Sequence, residues 1–371
     1  MKDGLDQTAV ARLRAALCAG DAGFDGLEFE RRAMKGLRKL ELKERVAHLI
    51  SAINEGLPDD FTDALPVVLA AGNAFPAGDP TDSLNGFAAW PLIDWVAVYG
   101  LDHFDESMAA LRRLTPLFSA EFAVRPFINA DPVRALAIMN GWLGDGDEHV
   151  RRLVSEGSRA LLPWGVQLPV FRRDPAPVLV LLEQLKNDPS EYVRRSVANN
   201  LNDISKDHPK DHPKVVVAIA RKWWKSGSSE RRGLVRHGLR TLVKKGDAGA
   251  LRVLGFTTDP KVAVELVLSA ETLAIGGSLN LNLTLQSTGG KTQKLVVDYV
   301  VHHQRARGKV TTKVFKWRNL DLSAGETVSL VKKHSFVPRS VRRLYPGTHR
   351  IEVLVGGRVM AGKSFELTEP R

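Results

Sequence analysis

The sequence predicts a mainly α protein: a HEAT-like helical-repeat solenoid over residues 1–255, followed by an immunoglobulin-like β-sandwich over 256–371. Three observations predict it. Apolar residues recur at helical spacing up to Gly255, a two-helix unit repeats in the middle of the chain, and alternating β-type patterning takes over after Gly255.

In the first part, long helix formers with 3.6-residue periodicity fill 39–50, and Gly, Pro and Asp clusters break the pattern at 56–60, 76–83 and 144–147. The repeat begins where Asp131-Pro132-Val133 opens a helix, with a second helix near Glu148-His149-Val150-Arg151-Arg152. Asp174-Pro175 and Glu191-Tyr192-Val193-Arg194-Arg195 restate both landmarks 43 residues later. His212-Pro213-Lys214 and Glu230-Arg231-Arg232 open a third pair. A period of about 40 residues with two helices per unit is the signature of HEAT-like repeats, and Pro at the first helical turn lacks only an N–H that would be unpaired there. Asp-His-Pro-Lys occurs twice in tandem, at 207–210 and 211–214, and reads as a longer connection without chemistry. Beyond Gly255, strands are expected at 262–268, 279–285, 295–301, 310–315, 327–331, 349–355 and 359–365, separated by Gly276-Gly277, Gly289-Gly290, Pro346-Gly347 and Gly356-Gly357. Seven short strands without a cysteine pair suit a disulfide-free sandwich, with Tyr345 placed as a tyrosine-corner residue might be.

Composition narrows the class. The chain has 371 residues, 44% of them hydrophobic and 26% charged, which suits two packed domains rather than a disordered chain. No apolar run is long enough to span a bilayer, and the N-terminus shows no secretory core, so a cytoplasmic protein is expected. Cys18 is the only cysteine, which excludes an internal disulfide and a multi-cysteine zinc site. The net charge of +11 is unevenly spread. Residues 1–125 carry 13 Lys and Arg against 19 Asp and Glu, residues 126–255 carry 22 against 14, and residues 256–371 carry 18 against 9. An acidic first third before two basic thirds points to a polyanion partner on the later segments.

Helical wheels place Val150, Leu153, Val154 and Leu161 on one side of the first repeat's second helix, and Arg152, Glu156 and Arg159 on the other. In the next repeat Val193, Val197, Leu201 and Ile204 form the buried stripe, Arg195, Asn199 and Asn202 face away, and Asp203 sits at the edge. Arg232, Arg236 and Arg240 form an i, i+4 row in the third, with His237 beside it. A single such face would be a solvated surface with salt pairs. Three in succession form an arginine stripe suited to phosphates. Glu156 and Asp203 weaken such a stripe unless they meet something positive, such as a cationic base or the cation left at a sugar carbon when a base departs. Trp164, in a long irregular link over 162–173, either plugs a gap between helices or serves the site. Trp142 and Trp223-Trp224 are assigned to packing.

Ser155-Glu156-Gly157-Ser158-Arg159 with Leu162-Pro163-Trp164-Gly165, and the run from Glu191 to Pro209, resemble segments of the bacterial AlkC/AlkD group of HEAT-like-repeat alkylated-DNA glycosylases, in the AlkC branch that ends in an immunoglobulin-like domain. The sequence departs from the pattern at Ala160-Leu161-Leu162, where a more basic stretch is expected, and at the doubled Asp-His-Pro-Lys. The resemblance implies hydrolysis of the N-glycosidic bond of 3-methyladenine and 3-methylcytosine in double-stranded DNA, without full base flipping and without metal or small cofactor. It implies that Glu156, Trp164 and Asp203 contact the lesion, joined by Glu121, which by itself reads as an acidic residue in a helix's first turn. Arg152, Arg159 and Arg195 are then expected on phosphates, with Arg232 and Arg236 continuing the row. The sandwich, with Lys313, Lys316, Arg318, Lys332, Lys333, Arg342 and Arg343, is expected to clamp the DNA. A monofunctional, monomeric, nucleoid-associated bacterial enzyme follows from that reading. The rival is a non-catalytic HEAT scaffold that binds DNA or protein.

Overall fold

The structure, a computed structural model, describes residues 2–79, 81–206, 211–338 and 343–370. The first Asp-His-Pro-Lys copy (207–210) and Arg342 lie outside the described residues. By packing, the chain divides into two compact units, Met1–His212 and Pro213–Arg371.

The first unit is helical. It runs α1 (Gln7–Gly20), α2 (Gly26–Met34), α3 (Leu42–Asn54), α4 (Phe61–Asn73), α5 (Trp90–Tyr99), α6 (Phe104–Leu114), α7 (Val124–Ala130), α8 (Pro132–Asn140), α9 (Glu148–Gly157), α10 (Pro169–Arg173), α11 (Ala176–Leu185) and α12 (Glu191–Ile204). Short polar side chains start many of them. Asp6, Asp25, Asp60, Asp131, Asp147 and Ser190 each accept from N–H groups of the following first turn. The repeat is present as the pairs α8/α9 and α11/α12, with α9 packed against α12.

The doubled arginines of the repeat have a division of labour that the wheels did not show. The first of each pair turns back to the loop that precedes its helix. Arg151 donates to the carbonyls of Asp145 (2.8 Å) and Gly146 (3.1 Å), and Arg194 donates to those of Asp188 (2.6 Å) and Pro189 (2.8 Å). Arg151 also pairs with the buried carboxylate of Asp188, at 2.7 Å. The first arginine therefore holds the inter-helix loop; of the second ones, Arg195 is exposed, whereas Arg152 is largely buried among other partners.

The second unit starts with helices and ends in the sandwich. Its helices are α13 (His212–Lys225), α14 (Ser229–Gly238), α15 (Arg240–Lys244) and α16 (Ala248–Val253). Here too the first arginine, Arg231, donates to a carbonyl of the preceding loop, Ser226. The strands are β1 (Val262–Leu268), β2 (Thr272–Ala274), β3 (Ser278–Ser287), β4 (Gln293–Gln304), β5 (Val310–Leu322), β6 (Thr327–Ser335), β7 (Gly347–Val355) and β8 (Arg358–Thr368). They form two sheets ordered β1-β3-β6 and β2-β8-β7-β4-β5. All seven expected strands are present; the three-residue β2, which pairs in parallel with β8, is too short to show a pattern. Leu279, Leu281, Leu283 and Leu285 of β3 alternate into the core against Val297, Tyr299, Val301, Ile351 and Val353 of the other sheet. Tyr345 lies just before β7, where its carbonyl accepts from His349 and its ring lies under Arg343 at 5.3 Å.

The expected boundary at 255 separates helices from strands, but packing divides the chain at 212/213. The reason lies in β4, where Val296 and Val300 on the outer face are buried as well as the inner residues. With both faces covered, the strand reads as an apolar run rather than an alternation. Val296 lines a cavity of about 390 Å³ with Leu254 and Phe256, so the last helices lie on this face of the sheet. Gly246 after α15 and Gly357 of the β7–β8 turn seal the contact. A Cβ on Gly357 would stand 2.5 Å from Gly246 Cα, and both glycines have positive φ.

Candidate active site

In the first unit, the ends of α9 and α12 bring together residues that lie about one repeat apart. Glu156, in the last turn of α9, is 5% exposed, and Asp203, in the last turn of α12, is 1% exposed. Between them lies Arg159, just past the end of α9. Its guanidinium reaches Glu156 Oε1 at 2.5 Å and Asp203 Oδ2 at 2.6 and 2.8 Å. Ser196 of α12 donates to Glu156 Oε2 at 2.6 Å, and Lys206 Nζ lies 3.1 Å from Asp203 Oδ1. Glu121, in the turn before α7 rather than within a helix, joins through Arg152, which reaches Glu121 Oε2 at 2.9 Å and Glu156 Oε1 at 3.6 Å. Arg152 also donates to Ser119 and lies over the Tyr192 ring at 4.6 Å. Three carboxylates are thus interleaved with Arg152, Arg159 and Lys206.

This arrangement corrects the expectation for two arginines. Arg159 is 8% exposed, so its guanidinium is committed to carboxylates rather than presented on a polar face. Burial opposes its charge, but Glu156 and Asp203 outweigh burial and hold the guanidinium above its ordinary value. Arg152 is half-buried and similarly engaged. Arg195 alone of the three is exposed on its helix.

A fully buried arginine that the sequence did not single out supports the network from behind. Arg125 of α7 donates to the carbonyls of Gly157 (2.9 Å), Arg159 (2.8 Å) and Val166. It therefore ties the end of α9 to the loop that carries Trp164. Burial, with repulsion from Arg159, pushes its guanidinium down to about 10.

Trp164 does not plug a gap. It is 51% exposed and adopts φ 64°, a left-handed conformation that non-glycine residues rarely take. Lys43 of α3 donates to its carbonyl at 2.5 Å. Trp164 stands at a cavity of about 320 Å³ together with Glu121, Glu156, Arg159 and Leu162. The opposite wall is aromatic. Trp90 stacks on Phe122 (5.1 Å between centroids) and Phe118 (5.4 Å), and Phe87 packs at an angle beside them. Sequence reasoning missed this wall; the signal for it was the i, i+4 pair Phe118 and Phe122 around Glu121. Asp203 does not line the cavity but stands behind Arg159. Ala160 and Leu162 are buried, Leu162 in the cavity wall, so the departure at 160–162 is a packed segment here.

The remaining predicted residues lie in the second unit. Arg232 and Arg236 are exposed on α14, over the Trp224 ring at 5.6 and 5.8 Å, so Trp224 serves as a platform while Trp223 is buried in the core. Lys332 and Lys333 do not form one cationic pair. Neighbours on β6 point to opposite faces, and Lys332 lies on the inward side between Leu330 and His334.

The comparisons with known proteins agree with this architecture. Residues 262–369 match the family described as the C-terminal Ig-like domain of the uncharacterised protein YhaZ. Uncharacterized protein YhaZ of Bacillus subtilis (strain 168) is 36% identical over 330 residues, spanning 89% of this chain and 88% of that protein. The structure of the Pseudomonas fluorescens alkylpurine DNA glycosylase AlkC, bound to DNA containing an abasic site analog, superposes with a TM-score of 0.89 at 35% identity, covering 99% of both chains. A helical-repeat unit and a terminal immunoglobulin-like sandwich, matched along nearly the whole length, place the chain in the AlkC branch of the AlkC/AlkD family of HEAT-like-repeat DNA glycosylases.

Proposed function

We propose that the protein is a DNA alkylation-repair glycosylase that hydrolyses the N-glycosidic bond of cationic N3-alkylated bases, 3-methyladenine and 3-methylcytosine, in double-stranded DNA. The observation that carries this reading is the set of arginine-braced carboxylates at an aromatic-walled cavity, in a chain similar over its length to an alkylpurine DNA glycosylase.

Alkylation at N3 makes the base a cation and a good leaving group, so no general acid is needed to expel it. As the glycosidic bond breaks, positive charge grows on the sugar, and preorganised carboxylates favour that charge over the neutral ground state. Glu156 and Glu121, which line the cavity, have this role, and either can orient the attacking water. Asp203 acts with Glu156 by fixing Arg159 between them. Trp164 walls the deoxyribose and the lesion. Arg195, Arg232 and Arg236 are exposed and suit the phosphates, and the basic sandwich supplies the clamp through outward residues such as Lys333. The protein acts as a monomer, without metal or small cofactor and without drawing the base fully out of the helix.

The test is single-turnover release of methylated bases from methylated duplex DNA. Wild type releases 3-methyladenine, and Glu156→Gln and Asp203→Asn slow release by about 100-fold or more, the range seen when one preorganised electrostatic group is lost. DNA affinity falls far less. Equal rates in all three proteins would sink the catalytic assignment, and no release by wild type would leave a DNA-binding scaffold.

A further inference from the structure

The aromatic wall of the site also borders a second cavity. This rear cavity, of about 270 Å³, is bounded by Val46 and Ile50 of α3, Ala97 of α5 and Pro126 of α7. It shares Trp90, Phe122 and Trp164 with the front cavity, so these three rings form the partition between the two. A ring that borders a cavity has less packing to orient it on that side, so directional bonds add to its stacking. Two such bonds are present. The indole N–H of Trp90 donates to Asp94 Oδ2 at 2.7 Å, and Lys43 Nζ donates to the Trp164 carbonyl at 2.5 Å. Asp94 and Lys43 both line the rear cavity and face away from the chemistry.

We propose that Asp94 and Lys43 are positioning residues of the site: Asp94 fixes Trp90, the base of the aromatic wall, and Lys43 fixes the loop that carries Trp164. The proposal rests on the glycosylase reading of the front cavity. Asp94 occupies a costly position for a carboxylate that only fills space. Its second oxygen, Oδ1, is buried without a hydrogen-bond partner among the described residues. Burial outweighs the Trp90 hydrogen bond and the attraction of Lys43, the charged group acting on it, and pushes the carboxyl up to about 7. The backbone of Trp164 is likewise in a conformation that costs about 1–3 kcal/mol and must be held by its surroundings. Trp90 takes its place by stacking on Phe118 and Phe122, which flank Glu121, so a rotated Trp90 also displaces the turn that presents that carboxylate.

The experiment uses full-length protein and methylated duplex DNA under single-turnover conditions. Asp94→Leu keeps the branched outline, with slightly larger methyl groups for which the adjoining cavity has space, and removes the acceptor; it is expected to slow base release about tenfold while affinity for undamaged duplex stays within about twofold. Asp94→Asn keeps an acceptor for the indole and restores most of the rate. In the ¹⁵N–¹H spectrum the Trp90 indole resonance shifts in Asp94→Leu and keeps its place in Asp94→Asn, which a merely structural role would not require. Lys43 is exposed, so Lys43→Met tests the other arm if Asp94→Leu does not fold; it is expected to slow release without moving the Trp90 resonance. Wild-type rates in Asp94→Leu, or an Asp94→Asn rate as low as that of Asp94→Leu, would overturn the role of Asp94. A wild-type rate in Lys43→Met would overturn that of Lys43. If the wild-type protein itself releases no base, the glycosylase reading fails and this inference fails with it; if wild type is active and the variants are unaffected, this inference alone fails.

Discussion

Arg159 decides the character of the site at the scale of single residues. Removing it leaves Glu156 and Asp203 buried without their shared partner, and breaking a buried ion pair from one side costs about 3–5 kcal/mol. Arg159→Met is therefore expected to lower the urea midpoint strongly, and Arg159→Lys only partly to restore it, because a single ammonium cannot fork between two carboxylates. A midpoint unchanged in Arg159→Met would show that the network has no structural weight. Asp94 yields a second expectation. Its folded carboxyl is raised to about 7, above its value in the unfolded chain, so the folded state binds the proton more tightly. Its contribution to stability is full below about pH 4 and is lost as pH rises to about 7, a difference on the order of a few kcal/mol. Asp94→Asn should flatten this dependence in urea melts at pH 5 and pH 8. The carboxylates themselves were legible in the sequence because they interrupt basic rows. Their partnership was not: Arg159 and Asp203 are 44 residues apart, and only the packing of α9 on α12 brings them together.

At the scale of elements, the repeated Arg-Arg pair carries two functions on adjacent positions. Arg151 and Arg194 hold the loops before α9 and α12, while Arg152 turns to the carboxylates of Glu121 and Glu156 and Arg195 faces outward. Sequence periodicity placed both helices correctly but not these roles, because a wheel encodes direction around the axis and not reach back along the chain. Arg194→Ala is expected to destabilise the first unit, whereas Arg195→Ala should leave stability nearly unchanged and weaken binding to duplex DNA in proportion to one lost phosphate contact; the log–log salt slope of affinity would fall by about one. The reverse pattern would refute the division. In the sandwich, the alternation of apolar residues identified seven of the strands, while the three-residue β2 was decided by its pairing with β8.

For the molecule as a whole, the basic charge begins with the repeat and continues into the second unit, but packing divides it differently from secondary structure. Helices 213–254 belong with the sandwich because they cover the outer face of β4 and meet the β7–β8 turn at Gly246 and Gly357. A fragment of residues 213–371 is therefore expected to unfold cooperatively, and one of 256–371, which uncovers Val296, to show a lower urea midpoint and poorer solubility. Equal midpoints would show that residues 213–255 add no stability to the sandwich. Gly357→Ala in the full chain should destabilise through both positive φ and the clash with Gly246.

The sequence by itself determined the order of helices and strands, the repeat and the identity of the charged residues, because each rests on local periodicity, capping and composition. The tertiary structure decided which charges meet, which arginines remain outside, and that Trp90, Phe118 and Phe122 line the cavity beside Trp164. Those outcomes depend on distances between residues tens of positions apart, and packing alone sets such distances.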